Sequence, residues 1–457
     1  MNLKNSACYN FIILSVVIWG LTACKTTQPV ETPTPIPTPT PTTTSIRLID
    51  TSKVLNQSFT GLLVYDLDSN RTFLERNTDR YFVPASITKL FTYYACVKLL
   101  GDSIPALKYK IVGDSLIIWG TGDPTFLHPD FNNSKVYNFI KQQSLTKKVF
   151  ISDAHFSNPY FGEGWAWDDY NDYYSTELSS FPMYGNIVRV NVNNKKTTIQ
   201  PRFFEPNFVA NTEGYNPQTS GGVIKRNNFD NQFFIPQLVS QKAAYQQVIP
   251  YKTSILLTQN MLADTLKKNV GILKLPVAKD AMTIFSLPTE GVYRQMLQES
   301  DNMLAEHLLL LCGSVMKDSV NSALAIKSIS DRFLQDMPDA PRWVDGSGLS
   351  RYNLFTPRSY VKLLLKLYAI VPREKLLSVM AIGGKAGTLK NSYVNNGKPF
   401  MYAKTGSMSG VYNLSGYLVT KKGKTMAFSV MNNNFTKSVR DVRLEVERIL
   451  TTIYEQN

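Results

Sequence analysis

A serine and a lysine three residues apart, Ser86 and Lys89, are the first side chains in the sequence that could do covalent chemistry. A serine hydroxyl is a weak nucleophile unless a neighbouring base removes its proton. Residues i and i+3 share one face of a helix, so the lysine amine can reach the serine hydroxyl. At a helix N-terminus, the backbone N–H of Ser86 could also stabilise an oxyanion. Because Ser-x-x-Lys is frequent by chance, this pair alone does not establish an active site.

Two further short motifs follow along the chain. Ser300-Asp-Asn302 precedes an apolar helical run, and taken alone it fits a helix N-cap, because all three residue types are favoured there. Lys404-Thr-Gly406 lies in a predicted strand and is followed by Ser407. Taken alone, it fits a strand end in which glycine marks a bulge. In this order, the three motifs form the signature of penicillin-binding proteins and serine β-lactamases.

Longer segments narrow the resemblance to one family. From about Gly61 to the C-terminus, the sequence resembles the class C low-molecular-mass penicillin-binding proteins. These are the D-alanyl-D-alanine carboxypeptidase/endopeptidases of peptidase family S13, typified by penicillin-binding protein 4. The interval of 214 residues from Ser86 to Ser300 supports this resemblance, because the family carries a large insertion there and β-lactamases do not. The matching segments are 120–124 (GTGDP), 164–169 (GWAWDD), 344–353 (VDGSGLSRYN), 384–389 (GKAGTL) and 403–416 (AKTGSMSGVYNLSG).

The resemblance implies a role for each residue of the first two motifs. Ser86 would attack the carbonyl carbon between two D-alanines and form an acyl-enzyme, while Lys89 accepts its proton. This transfer needs a neutral amine near pH 7, which burial and the charge of Lys404 would provide by lowering the pKa of Lys89. Ser300 would relay the proton to the leaving amine, and Asn302 would hold the substrate amide and Lys89.

The third motif is expected to bind the substrate. By the same resemblance, Lys404 and Thr405 bind the terminal carboxylate, and Gly406 lets the substrate backbone lie against the strand. The backbone N–H groups of Ser86 and Ser407 would form the oxyanion hole.

Three positions correspond to family residues that contact the diamino-acid side chain of the peptidoglycan stem peptide. The family has an aspartate in its inserted domain and an arginine after the Asp-Gly-Ser-Gly motif, which correspond here to Asp153 and Arg351. It also has a glutamine after the Lys-Thr-Gly motif, whereas this sequence has Ser409. The alternative interpretation of Asp153 is a turn residue, and that of Arg351 is a surface ion pair.

The order of predicted elements indicates a split domain. We expect an α/β (α+β) transpeptidase/β-lactamase-like domain formed by residues 46–103 and 256–457. In residues 104–255, short segments with alternating apolar and polar residues dominate, which predicts an inserted β-rich domain.

The N-terminus predicts export and a lipid anchor. Residues 1–23 contain one early lysine and an apolar stretch too short to span a bilayer permanently, as in a signal peptide. The next residue, Cys24, resembles the lipidated cysteine that follows the signal peptide of bacterial lipoproteins. The alternative is a plain secretory signal. Residues 24–45 are rich in proline and threonine and predict a semi-rigid tether. The expected location is therefore the periplasm, with a lipid anchor in a membrane. The outer membrane is favoured, and the inner membrane is the alternative.

Composition limits the other classes of partner. The net charge of +14 is compatible with an anionic partner, but no run of basic residues with interleaved aromatics suggests nucleic acid. Three histidines without ligand spacing predict no metal site, and we expect no cofactor.

Cys8 lies in the signal peptide and Cys24 is the predicted lipidation site, so two cysteines remain. Cys96 and Cys312 are expected to be buried thiols, and whether they form a disulfide stays open.

An aromatic cluster occurs in the predicted insertion, at Trp165, Trp167, Tyr170, Tyr173 and Tyr174. We expect it to pack inside a small β domain; the alternative is that it stacks on sugars.

Together these features predict a serine peptidase that cleaves D-alanyl bonds in peptidoglycan stem peptides and cross-links and is inhibited by β-lactams. Two alternatives remain at this stage. A serine β-lactamase would need a second base for rapid deacylation, and an inactive peptidoglycan-binding scaffold would be expected to have lost motif residues.

Overall fold

The computed structural model describes residues 52–457, except 211–222, 241 and 396. The predicted signal peptide, Cys24 and the proline- and threonine-rich tether lie outside the described residues. Within the described part of the chain, no helix is both long and apolar enough to cross a membrane.

The chain forms three successive groups of elements. The first contains strands β1 (Phe59–Asp66) and β2 (Arg71–Arg76), a 3-10 turn (Ala85–Thr88) and helix α1 (Lys89–Leu99). The second contains β3 (Ser103–Val112), β4 (Ser115–Gly120), α2 (Lys135–Gln143), β5 (Lys148–Ser152), β6 (Ile187–Asn193), β7 (Lys196–Gln200), β8 (Phe208–Ala210), β9 (Lys225–Arg226), β10 (Phe233–Ile235), α3 (Gln237–Ser240), β11 (Ala244–Pro250), α4 (Ile255–Leu266), β12 (Val270–Ile272) and β13 (Met282–Pro288), with 3-10 turns at Trp167–Asn171, Tyr184–Asn186 and Arg202–Asn207. The third contains α5 (Thr289–Gln298), α6 (Asn302–Lys317), α7 (Ser322–Phe333), α8 (Pro357–Ile370), α9 (Arg373–Val379), β14 (Ala381–Ile382), a 3-10 turn (Gly387–Leu389), β15 (Met401–Met408), β16 (Val411–Val419), β17 (Thr425–Asn433) and α10 (Val439–Gln456).

The first and third groups share a six-stranded sheet with the order β14-β15-β16-β17-β1-β2. β1 pairs antiparallel with β17, so the two parts of the split domain are joined by backbone hydrogen bonds. Side chains alternate across the pleat: Tyr417 and Ala427 belong to a core with α1, α6 and α8, while Leu418 and Phe428 pack with α10. Helices therefore cover both faces of this sheet, and β16 and β17 are buried along nearly their whole length.

The second group has a core of its own. A five-stranded sheet with the order β12-β5-β4-β3-β13 lies in this group with two three-stranded sheets, β11-β6-β7 and β8-β10-β9. Met261 and Leu262 of α4 and Val270 of β12 belong to this core, and β13 pairs with β3. The inserted group therefore extends to Pro288, beyond the boundary expected at residue 255. Helical periodicity in residues 256–270 shows an apolar face but not which sheet covers it.

The cysteines on α1 and α6 are free thiols in this structure. Cys96 and Cys312 are fully buried, and their Sγ atoms are 3.9 Å apart. This separation exceeds the length of a disulfide bond, which is about 2 Å.

Candidate active site

Lys89 is the centre of a hydrogen-bonded group at the start of α1. Its side chain is fully buried, and its Nζ lies 2.9 Å from Ser86 Oγ, 2.6 Å from Asn302 Oδ1 and 2.9 Å from the carbonyl oxygen of Ser347. A neutral amine has two N–H bonds and one lone pair. Because Asn302 Oδ1 and Ser347 O can only accept, they take the two N–H bonds and leave the lone pair directed at the Ser86 hydroxyl. This geometry suits a base that removes the serine proton.

The electrostatic surroundings favour the neutral form of this amine. Burial lowers the pKa of Lys89 to about 8, although Glu306, Asp301 and Asp345 oppose the shift. At this pKa, roughly one amine in ten is neutral at pH 7. Burial, followed by repulsion from Lys89, also brings the pKa of Lys404 well below its usual range.

Ser300 and Asn302 are separated by the residue that caps α6. The side chain of Asp301 is the N-cap and accepts a hydrogen bond from Leu304 N at 2.9 Å. Ser300 has a φ of +63°, an uncommon conformation for a non-glycine residue, and its Oγ accepts a 2.9 Å hydrogen bond from Lys404 Nζ. The motif therefore combines the N-cap of α6, on Asp301, with a neighbouring serine that is hydrogen-bonded to Lys404.

Two glycines allow the loop and strand around Ser86 to approach it closely. A Cβ added at Gly406 would lie 2.5 Å from Pro84 O and 3.1 Å from Ser86 N. A Cβ added at Gly348 would lie 1.9 Å from Ala85 O. We expected Gly406 to make room for the substrate, but its missing side chain faces the turn that carries the serine.

The Lys-Thr-Gly strand also contacts the 3-10 turn of the 384–389 segment. Thr405 Oγ1 donates a 2.8 Å hydrogen bond to Thr388 Oγ1. Thr388 lies on the wall of the cavity in front of Ser86. This contact places two hydroxyl groups at the strand edge that is expected to bind the substrate carboxylate.

The buried carboxylate of Glu306 holds the loop that contacts Lys89. Both carboxylate oxygens of Glu306 accept backbone hydrogen bonds, from Ser347 N at 2.7 Å and Gly346 N at 3.0 Å. They thereby fix the two peptide groups that lead into Ser347, the residue whose carbonyl oxygen faces Lys89. Burial, and then repulsion from Asp345, raise the pKa of Glu306. Sequence reasoning missed this residue, although one acidic side chain in the apolar run of α6 was a usable signal.

Asp345 organises the loop that follows. Its carboxylate accepts hydrogen bonds from Gly348 N at 2.8 Å, Ser350 N at 2.7 Å and Asn353 Nδ2 at 2.7 Å. A fourth donor, Trp165 Nε1 at 3.0 Å, comes from the inserted group of elements. The Asp-Gly-Ser-Gly segment is therefore fixed by hydrogen bonds on both sides of Ser347.

The inserted group also contacts Asn302 directly. The carbonyl oxygen of Tyr174 accepts a 3.0 Å hydrogen bond from Asn302 Nδ2. Because the amide nitrogen is held there, Oδ1 must face Lys89. No sequence signal indicated this contact, since any residue can supply a backbone carbonyl.

A cavity of about 700 Å³ opens in front of these groups. Of the predicted site residues, Ser86, Ser300, Asn302, Arg351 and Ser407 line it, whereas Lys89 and Lys404 are buried. The other lining residues are Ala85, Gly164, Ala166, Asp168, Asp169, Tyr173, Tyr174, Glu299, Gly348, Leu349, Thr388, Met408 and Ser409.

The predicted contacts to the stem-peptide side chain are only partly at this cavity. Arg351 donates a 3.1 Å hydrogen bond to the carbonyl oxygen of Ser409, so the two lie together at the rim. Asp153 is half-buried after β5 and is not one of the lining residues. Asp168 and Asp169 provide carboxylates at the cavity instead. Among the described residues, no three His, Cys, Asp or Glu side chains are grouped to hold a metal ion.

Comparison with known proteins assigns the family. A sequence model of the D-Ala-D-Ala carboxypeptidase 3 (S13) family matches residues 44–453. The chain belongs to this family. It is a serine-type D-Ala-D-Ala carboxypeptidase by class, as the sequence predicted. D-alanyl-D-alanine carboxypeptidase DacB of Haemophilus influenzae is 24% identical over 89% of this chain and 91% of the relative.

Solved structures agree on the fold. The crystal structure of penicillin binding protein 4 from Haemophilus influenzae matches with a TM-score of 0.71 and 19% identity, over 90% of this chain and 98% of that one. A second structure of that protein, in complex with a β-lactam, matches with a TM-score of 0.67 and 20% identity, over 90% and 99% of the two chains. The predicted α/β penicillin-recognising fold is confirmed.

Proposed function

We propose that this protein is a penicillin-sensitive DD-carboxypeptidase/DD-endopeptidase that cleaves D-alanyl bonds in peptidoglycan stem peptides and cross-links. The observation that carries the proposal is the position of Lys89, whose lone pair can face Ser86 Oγ while Asn302 and Ser347 hold its two N–H bonds. A cavity that the three motifs line or border lies in front of this pair.

Acylation uses the two serines in turn. Ser86 Oγ attacks the carbonyl carbon of the penultimate D-alanine as its proton passes to Lys89. The backbone N–H groups of Ser86 and Ser407 stabilise the oxyanion. Ser300, hydrogen-bonded to Lys404, gives its hydroxyl proton to the leaving amine as the peptide bond breaks, and the proton held by Lys89 replaces it. Water then attacks the ester carbonyl of the acyl-enzyme and restores Ser86.

The side chain of the stem peptide is recognised by charged residues that line the same cavity. Asp168 and Asp169 supply negative charge for an ammonium group, and Arg351 supplies positive charge for a carboxylate. Leu349 and Met408 also line the cavity and suit the aliphatic part of that side chain. A zwitterionic diamino acid matches this combination, so we assign to Asp168 the role expected for Asp153.

The site acts outside the cytoplasm in this proposal. The apolar segment ending at Cys24 supports export and lipidation, and the tether would separate the enzyme from its membrane by roughly 60 Å. We propose a periplasmic lipoprotein anchored to the outer membrane. The positive net charge favours an anionic wall as its surroundings.

The test is covalent trapping with a labelled penicillin followed by mass spectrometry of the adduct, with D-alanine release from a pentapeptide measured in parallel. The label should attach to Ser86, and Ser86→Ala should remove both labelling and D-alanine release. A label on another residue would refute the mechanism. Rapid turnover of penicillin, with no D-alanine released, would favour the β-lactamase alternative. Absence of both reactions would favour an inactive scaffold.

A further inference from the structure

A short segment of the inserted group, residues 164–175, forms one wall of the active-site cavity; we name it the aromatic loop. It is fixed at several points. Trp165 Nε1 donates to Asp345, Tyr170 OH donates to the carbonyl oxygen of Arg226 at 3.2 Å, and the carbonyl of Tyr174 accepts from Asn302. The backbone of this loop is therefore held in place before any ligand arrives.

Two aromatic side chains of this loop are exposed to solvent. Trp167 is 80% exposed and Tyr173 is 67% exposed, whereas Trp165, Tyr170 and Tyr174 are half-buried. The expectation that the cluster packs inside the fold is therefore wrong for Trp167 and Tyr173. Burying an indole or phenol ring releases considerable free energy, so exposed rings beside a cavity are characteristic of binding sites.

The position of the two rings connects them to the catalytic cavity. Tyr173 lines the cavity, and so do Ala166 and Asp168, the chain neighbours of Trp167. The ring of Tyr173 meets that of Tyr174 edge to face at a centroid distance of 5.5 Å, which fixes its orientation. A ligand that extends out of the cavity over this wall would contact the exposed rings.

The charge of the loop limits the chemistry of that ligand. Asp168, Asp169 and Asp172 place three carboxylates within a few residues of the two rings. They disfavour a phosphate, a nucleic acid or an anionic lipid surface by repulsion. A sugar ring fits both features, because its C–H face packs on an aromatic ring and its hydroxyl groups donate hydrogen bonds to carboxylates.

We propose that Trp167 and Tyr173 form a carbohydrate subsite that binds an N-acetylhexosamine ring of the glycan strand carrying the stem peptide. The inference rests on the proposed function, because it takes the ligand to be continuous with a peptide in the cavity. The subsite makes glycan-linked peptide a better substrate than the same peptide alone. It does not contribute to the reaction of Ser86 with penicillin.

The experiment compares kcat/KM for D-alanine release from a free stem pentapeptide and from the same peptide attached to its disaccharide. Wild-type protein should prefer the disaccharide form. Trp167→Ala should lower kcat/KM for that form by about tenfold, the equivalent of one good aromatic contact, and leave the free peptide and penicillin acylation unchanged. The matched control is Phe229→Ala, which removes an aromatic side chain that is 85% exposed on the same inserted group.

The other outcomes are distinct. An equal loss on both peptide forms would overturn the proposal and show that Trp167 supports the cavity or contacts the peptide. No loss on either form would also overturn it. Titration with a tetramer of N-acetylglucosamine provides a second readout, since heat of binding should be seen for the wild type and lost in Trp167→Ala. If wild-type protein released no D-alanine from either form, the proposed function itself would fail.

Discussion

Replacement of Glu306 by glutamine is the sharpest test of how Lys89 is positioned. Glu306 and glutamine have nearly the same shape, so the change leaves no cavity. The carboxylate now accepts from two backbone N–H groups, those of Gly346 and Ser347, at 3.0 and 2.7 Å. A glutamine side chain has one acceptor oxygen, so its NH2 group would face one of these N–H groups as a second donor. The peptide groups that lead into Ser347 must then shift, and Ser347, which presents its carbonyl oxygen to Lys89, shifts with them.

The size of the effect follows from these contacts. Loss of a buried hydrogen bond with an unsatisfied N–H left behind costs about 1–3 kcal/mol. If this cost falls on the orientation of Lys89 in the transition state, acylation slows by roughly 5- to 150-fold.

Removal of the Glu306 carboxylate has a separate effect on the pH dependence of acylation. Because Glu306 raises the pKa of Lys89, its removal allows burial to lower that pKa further below about 8.

The assay is the rate of acylation by labelled penicillin between pH 5 and 9, with thermal unfolding followed in parallel. Protonation of Lys89 removes the base, so the wild-type rate should decrease as pH falls below about 8. In Glu306→Gln the maximum rate should be lower, and the decrease should begin at a lower pH. Glu290→Gln, which removes an exposed carboxylate paired with Arg294, is the control and should change neither quantity. A variant that unfolds earlier but keeps the wild-type rate and pH profile would refute the positioning role.

Two further predictions concern specificity and the anchor. Asp168→Asn should lower kcat/KM for native stem peptides by about 5- to 150-fold and leave penicillin acylation unchanged. Asp153→Asn should affect neither reaction. If Asp168→Asn slowed both reactions equally, Asp168 would instead support the fold. Cys24→Ala should abolish lipid labelling and release the protein in soluble form, and a variant that remains on membranes after a salt wash would exclude the lipoprotein assignment.

The sequence was sufficient for the family and the motif residues because their chemistry depends on residue type. A serine nucleophile, a lysine base and a glycine at a close approach cannot be exchanged for other residues, so they are visible in one sequence. The three motifs are also brought together as the resemblance implied: Lys89 contacts Ser86 and Asn302, and Lys404 contacts Ser300.

Contacts made by backbone groups or by common residue types could not be predicted in the same way. The acidic side chain of Glu306 stands out in an apolar helix, but its partners are two backbone N–H groups about forty positions away, which residue types do not indicate. Asp153 was assigned from the family resemblance, but the carboxylates of Asp168 and Asp169, in a loop outside the strands, line the cavity. The end of the inserted group was placed too early because α4 packs on the inserted sheets, a choice that periodicity does not specify.

The inserted group contacts the residues that hold the proposed base. The Ser-x-x-Lys, Ser-Asp-Asn and Lys-Thr-Gly motifs all lie outside it. Two hydrogen bonds nevertheless connect it to the residues around Lys89. Tyr174 O fixes the amide of Asn302, and Trp165 Nε1 binds Asp345 in the loop that presents Ser347 O. Since Asn302 and Ser347 hold the two N–H bonds of Lys89, both supports of the base depend on the same inserted loop. Substrate binding against that loop can therefore act directly on the orientation of the lone pair that activates Ser86.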